Sequence, residues 1–224
     1  MTVGILCGLQ VEAKIADKMP HVLVGCSGVR QDRAQEIVGF LIEKGVNRLI
    51  SFGLAAGLSP DIEAGDLLLG ATVVSNKGAW EADDVWNTRF VECLPCYQCA
   101  PIWGSDVLLT TAKDKIGCGI RSGCLAADME SHIVAQAAAQ ARIPFNIIRA
   151  ICDPSPMDMP PAALLPLLDD GHVDFRGVFS SLYNKPSQLS ELIKLGIYTN
   201  KAFSALKNAV SVIAEVGNEE GEGG

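Results

Sequence analysis

Residues 47–75 read NRLISFGLAAGLSPDIEAGDLLLGATVVS. Leu49, Ile50 and Phe52 open an apolar strand that runs into a Gly/Ala-rich turn, and Gly65-Asp66 leads into a second strand-like run. Working outward, VGILCGL at residues 3–9 and HVLVGCSG at 21–28 are two more apolar runs of strand length. Between them and the opening stretch, RAQEIVGFLIEKGV places Ile37, Val38, Leu41 and Ile42 at helical spacing, with Gly45 as the stop. Downstream, the Ala-rich DMESHIVAQAAAQAR at 128–142 precedes the buried-strand pattern IPFNIIRAICD at 143–153. Strands alternating with helices predict an α/β chain with three layers, α/β/α, around a mixed central sheet.

No repeat and no linker interrupts the pattern, so residues 1–216 are expected to form a single domain and GNEEGEGG at 217–224 a disordered tail. Residues 76–103, which hold all three tryptophans, show little periodicity and read as an irregular excursion that lines or covers a site. After Asp153, PSPMDMPP breaks regular structure. LSELIKLGIYTNKAFSALKNAVSVIAEV at 189–216 reads as one or two amphipathic helices.

Bulk properties narrow the class. Hydrophobic residues make up 49% of 224 positions, which marks a globular chain. A formal net charge of −8 argues against a protein that tracks nucleic-acid phosphates. The start MTVGILCGLQVEAK has no basic leader and reads as a buried strand, and no apolar run is long enough to span a bilayer, so a cytoplasmic protein is expected. Most of the eight cysteines sit in apolar runs and read as small hydrophobes, not as a disulfide framework. Cys93, Cys96 and Cys99 have the spacing of the first three ligands of a ferredoxin-type cluster, but Trp103 stands where the fourth belongs. Metal binding therefore stays open as a rival at that run. The three histidines are not at metal spacing and read as structural or surface residues.

Three acids stand at strand ends or helix starts: Glu12 after the first strand, Glu130 at the head of the Ala-rich helix, and Asp153 where the buried strand emerges. Sites in open α/β sheets gather outside the carboxyl ends of strands, so these acids are placed to converge. Each also has an ordinary structural role, as a first-turn acid or as a turn residue before proline.

The segments GILCGLQVEA, CSGVR, SFGLAAGLSPDIEAGDLL, AADMES and IPFNIIRAICD, in that order over residues 4–153, resemble the nucleoside phosphorylase family that includes methylthioadenosine/S-adenosylhomocysteine nucleosidases. The resemblance implies a nucleoside phosphorylase-like fold and cleavage of a purine N-glycosidic bond. It implies that Glu12 orients and deprotonates the attacking water, that Met129 and Glu130 hold the ribose, and that Asp153 hands a proton to purine N7 with the basic Arg149 near it. It further implies that the stretch Ser105, Asp106, Leu108 and Leu109 holds the base, and that Ser27, Gly53 and Leu54 border the nucleophile. The chemistry suits these types, because a carboxyl group at N7 neutralises the leaving base and a carboxylate at the sugar stabilises the cationic transition state. Burial raises an acid's pKa and a neighbouring Arg lowers it, so Asp153 is expected to feel opposed effects.

Two positions depart from the pattern. Leu54 replaces a serine that contacts phosphate or water, and Leu108 replaces an aromatic that stacks on adenine. Hydrolysis and phosphorolysis, with inorganic phosphate as co-substrate, therefore both stay open. No other cofactor and no metal is expected. Residues 160–196, PPAALLPLLDDGHVDFRGVFSSLYNKPSQLSELIKLG, resemble the tail of the hopanoid-associated branch. That resemblance implies adenosylhopane as substrate, an apolar groove at the 5′ position, and transient membrane-surface contact. A homodimer is a further expectation. The alternatives are a nucleosidase for methylthioadenosine and S-adenosylhomocysteine, or a non-catalytic nucleoside binder on the same fold.

Overall fold

The computed structural model describes residues 2–93, 98–164, 185 and 188–219. Strand β1 (Val3–Cys7) is followed by α1 (Gln10–Ala16), β2 (Val22–Cys26), α2 (Gln31–Glu43), β3 (Arg48–Gly57) and β4 (Leu67–Ser75). Then come β5 (Gly78–Glu81), α3 (Asp84–Cys93), β6 (Gln98–Gly104), α4 (Ala112–Ser122), β7 (Ala126–Asp128), α5 (Ser131–Ala141) and β8 (Phe145–Asp153). A 3₁₀ turn (Pro161–Leu164) and a long helix α6 (Leu189–Glu219) complete the order.

The expected α/β fold with a mixed sheet is what forms. Parallel pairs β1·β2, β1·β3 and β3·β8 sit beside antiparallel pairs β4·β5, β4·β8 and β3·β7. Helices α1, α3 and α6 cover one face, through a core that joins Ile15, Phe90 and Leu206 to Ile5, Phe52 and Ile148. Helices α2 and α5 cover the other, through Val38, Leu41, Val134 and Ala138 against Leu49, Leu68 and Ile147. At one end the sheet goes further than a flat layer. Strands β3, β8, β4, β6 and β7 each pair with the next, and β7 returns to β3, so they close a ring. Register irregularities in β3·β8 and β4·β6 supply the bend that closure needs.

Two expectations need correction. The Gly/Ala-rich residues 53–57 continue strand β3 and do not turn, because β8 pairs with residues 53–56 and β7 with Ala56 and Gly57. The stretch 76–103 is largely regular: it forms β5, α3 and β6, and β6 lies inside the sheet between β4 and β7. Trp86 and Phe90 of α3 are core residues, with ring centroids 4.6 Å apart, so this stretch is no cover over a site. Alternating burial in β6 was hidden by Pro101 and by the polar lead-in. The one or two amphipathic helices expected over 189–216 are the single helix α6, which ends at Glu219. Residues 220–224 of the tail, Cys96 of the cysteine run and most of the Pro/Leu-rich stretch 160–187 lie outside the described residues.

Candidate active site

Glu12 sits in the first turn of α1 and is buried. Its Oε2 accepts the backbone N–H groups of Gly8 (2.9 Å) and Leu9 (2.8 Å), and its Oε1 accepts that of Leu54 (2.8 Å). Short apolar β1 ends at Cys7, so the Gly8-Leu9 turn aims its free N–H groups at this carboxylate. Gly53 is required here, since a Cβ at that position would lie 2.6 Å from the Glu12 carboxyl carbon and both its oxygens. Gly8 plays the same part for two acids at once: its missing Cβ would be 3.0 Å from Glu130 Oε1 and 3.5 Å from Glu12 Oε2. The two carboxylates therefore flank one point in space.

Glu130 caps the start of α5, and Arg149 rises from the middle of β8. Arg149 Nη2 donates to Asp128 Oδ1 (2.9 Å), to Ser131 Oγ (3.3 Å) and to Ser51 Oγ, and lies 3.7 Å from Glu130 Oε2. Its Nη1 reaches the Leu54 carbonyl at 3.4 Å. The guanidinium is 1% exposed. Burial pushes the Glu12 carboxyl above its ordinary range, against the pull of Arg149 and three N–H donors. Burial likewise raises Glu130, to about 7, with Arg149 opposing and Asp128 and Glu12 adding to the rise. Burial disfavours charge on Arg149 too, but Asp128, Glu130 and Glu12 outweigh it and raise its pKa. One guanidinium is thus shared among three buried acids, which favours keeping a proton in the group near neutrality.

Asp153 is also buried, but its cation is not Arg149. Lys115 Nζ, fully buried on α4, donates to Asp153 Oδ1 at 2.7 Å. The reason is geometric. Four residues of strand separate positions 149 and 153, about 13 Å at ~3.3 Å per residue, and the β3·β8 register skips Cys152 between them. Burial raises the Asp153 pKa, while Lys115 lowers it and Asp158 raises it. Cys152, between the two groups, is pushed up to about 12 by burial, with Asp153 and Glu12 contributing.

The remaining positions divide. Leu54 offers its backbone N–H to Glu12 and its carbonyl to Arg149, while its half-buried side chain packs into the core below α6. Met129 is half-buried beside Glu130. Ser27 is fully buried beside the end of β1, its N–H on the Cys7 carbonyl and its Oγ accepting from Val29 N–H at 3.2 Å. Ser105 turns its hydroxyl onto the Val107 carbonyl (2.6 Å). Asp106 points away from the acids, toward Gln31 (3.1 Å), Lys77 (3.2 Å) and His132 (3.1 Å). Leu109 packs against Trp103 and Cys118, and Leu108 is exposed. His132 is structural, as expected, and is held by Asp106. Among the described residues no cluster of His, Cys, Asp or Glu is arranged to hold a metal ion.

Two residues escaped the sequence. Asp128 accepts from the N–H groups of Glu130 and Ser131 (2.7 Å each) as well as from Arg149. An arginine in the middle of a buried strand needs a buried acid, and that need was the available signal. Lys115 gave no signal, because α4 buries Lys115 and Cys118 and turns Ile116 and Ile120 outward, the reverse of what hydropathy dictates.

Buried acids gathered at strand ends around one arginine, on a mixed α/β sheet that partly closes, define the class of protein. The chain belongs to the phosphorylase superfamily, whose family profile matches residues 15–163. No curated protein sequence matches it significantly. Solved structures with the same fold include futalosine hydrolase of Helicobacter pylori strain 26695, with a TM-score of 0.71 at 14% identity, covering 96% of this chain and 97% of that one. The 5′-methylthioadenosine/S-adenosylhomocysteine nucleosidase of Neisseria meningitidis, in complex with methylthio-immucillin-A, also has a TM-score of 0.71 at 14% identity, covering 96% and 99%. The S-adenosylhomocysteine nucleosidase of Streptococcus pyogenes reaches 0.63 at 16% identity, covering 88% and 96%. Among the described residues no helix is long and apolar enough to cross a membrane.

Proposed function

We propose that this chain cleaves the N-glycosidic bond of a purine nucleoside, with Glu12, Glu130 and Asp153 as its working groups. The observation that carries the reading is the pair of buried carboxyl groups with raised pKa values on either side of Gly8, Glu12 from α1 and Glu130 from the head of α5, with a third such acid, Asp153, buried at the end of β8. The C1′–N9 bond breaks with its electron pair going to the base. Asp153, protonated, gives its proton to N7 and so neutralises the leaving group. Ionised Glu130 accepts hydrogen bonds from the ribose hydroxyls and stabilises the positive charge on the sugar. Glu12 orients water toward C1′ and takes its proton, which leaves adenine and the free sugar.

Water is the nucleophile we favour. Leu54 presents an alkyl side chain, and its N–H is already taken by Glu12, so it has nothing to offer a phosphate oxygen. Adenosylhopane, a nucleoside with a large apolar 5′ group, is the substrate proposed within this reading, on the likeness of residues 160–196 to the hopanoid-associated branch. The nucleosidases among the similar folds make methylthioadenosine and S-adenosylhomocysteine the natural comparison.

The test is release of the purine base, adenine from adenosylhopane and methylthioadenosine and hypoxanthine from inosine, side by side, with and without phosphate. Release from adenosylhopane without phosphate is expected. Strict phosphate dependence overturns the choice of water, and turnover of the small nucleosides alone overturns the choice of substrate. Asp153→Asn should lower kcat/KM by about 10²–10⁴ with the fold intact. Near-full activity in that variant removes Asp153 from the mechanism.

A further inference from the structure

Lys115 is the one fully buried ammonium among the described residues that the chemistry above does not use. Its Nζ has three protons and finds three acceptors: Asp153 Oδ1 (2.7 Å), the Pro154 carbonyl (3.1 Å) and the Met157 carbonyl. The same junction is tied twice more. Ala112 N–H donates to Asp158 Oδ1 at 2.6 Å, and Met159 N–H donates to the Thr110 carbonyl at 2.8 Å. The start of α4 and the segment after β8 therefore close around Lys115. One oxygen of Asp153 is fixed by this contact. The other, Oδ2, is buried and has no hydrogen-bond partner among the described residues.

From this juxtaposition we infer that Lys115 is the positioning residue for Asp153, holding Oδ1 so that Oδ2 alone carries and delivers the proton. The inference rests on the functional reading above. A carboxyl held on both oxygens by donors would stay ionised, and a carboxyl held on neither would turn freely; a single charged clamp gives one defined donor atom. Lys115 also sets the acid's strength. The groups that face Asp153 are Lys115 from α4, Asp158 from the following loop and Cys152 on β8 itself, and Lys115 is the cation among them. Removing that cation weakens the acid, so Asp153 stays protonated to higher pH.

The experiment compares Lys115→Met with wild type over a range of pH on two substrates. One is the adenine nucleoside that wild type cleaves best. The other is 4-nitrophenyl β-D-ribofuranoside, whose leaving group needs no proton. With the adenine nucleoside, kcat/KM at the optimum should drop roughly ten- to a hundredfold from lost positioning. The alkaline limb of its pH profile should move upward by about one to three pH units. With the nitrophenyl riboside, activity should stay within about twofold. Lys115→Gln, which keeps donors for the two carbonyls but lacks the charge, gives the same limb shift and serves if the methionine variant does not fold. An unmoved alkaline limb, or equal losses on both substrates, overturns the inference and reduces Lys115 to a structural tie. If wild type releases adenine from no nucleoside, the functional reading fails first, and that outcome is separate from any behaviour of Lys115.

Discussion

Strand β8 carries a buried polar network at each end, and the two differ in kind. At its start, Asn146 accepts from Arg48 Nη1 and donates to the Asp83 carbonyl and to Asn87 Oδ1, both at 3.0 Å. Asn87 passes the chain on to the Gly70 carbonyl at 3.0 Å, and Arg48 pairs with Asp83 at 3.2 Å. Here amides do most of the work and the single acid has its own cation. From its middle to its end, Arg149 stands among Asp128, Glu130 and Glu12 and Asp153 beside Lys115 and Asp158, with carboxyl oxygens of Asp128 and Asp153 left without partners among the described residues. The first network leaves one buried donor, Arg48 Nε, without a partner among the described residues but no buried carboxyl or amide oxygen, which keeps the cost of burying it low. The second retains acids in a state of unmet demand, which makes sense only where a ligand or a proton completes it.

The largest effect is expected where the second network is cut at its hub. Arg149→Met leaves Asp128, Glu130 and Glu12 without the cation they share. Removing one partner of a buried pair typically costs about 3–5 kcal/mol, and a denaturant titration reads it directly. A loss below about 1 kcal/mol would mean that the acids take up protons at little cost and that the hub is dispensable.

How much of this contrast was legible in advance follows from chemistry. Strands β1, β2, β4 and β8 and helix α2 were plain, because apolar runs of strand length, helical period and Gly45 agree with what packs. Glu12, Glu130 and Asp153 were candidates because their positions at element ends are visible along the chain, and all three are buried. Their cations were not found correctly. Arg149 is near Asp153 in sequence, but a strand carries the two apart, and the true partner of each acid comes from a distant element, with Lys115 and Asp153 38 positions apart. The order of the ring-closing strands was equally hidden, since the irregularities in β3·β8 and β4·β6 that bend the sheet are announced by no local pattern. The partners of Asp106 were hidden for a similar reason: Gln31, Lys77 and His132 reach it from distant elements.

A smaller effect sharpens the electrostatic half of the contrast. Glu130 titrates at about 7 in the folded chain, above its unfolded value of 4.5. A carboxyl group with a raised folded pKa binds its proton more tightly in the native state. Its contribution is therefore full below pH 4.5 and is lost as pH rises to about 7. Over that window wild type should lose about 2–3 kcal/mol more stability than Glu130→Gln, which cannot ionise. Parallel stability curves for the two proteins between pH 4.5 and 7.5 would show that Glu130 is not a perturbed acid.

The smallest effect belongs to the first network, and its value lies in what it leaves alone. Asn146→Ala removes an acceptor from Arg48 and donors from Asn87 and the Asp83 carbonyl, all buried or nearly so. Unmet buried polar groups cost about 1–3 kcal/mol, so thermal unfolding should move down measurably. Residues 146 and 149 lie on opposite faces of β8, and Asn146 makes no hydrogen bond to Glu12, Glu130 or Asp153. Activity per folded molecule should then stay within about twofold of wild type, since polar groups that share no partner act almost independently. A stability loss with unchanged kcat/KM separates the two ends of β8 as scaffold and site. A large fall in kcat/KM at unchanged stability would instead join them, and the division drawn along this strand would have to be given up.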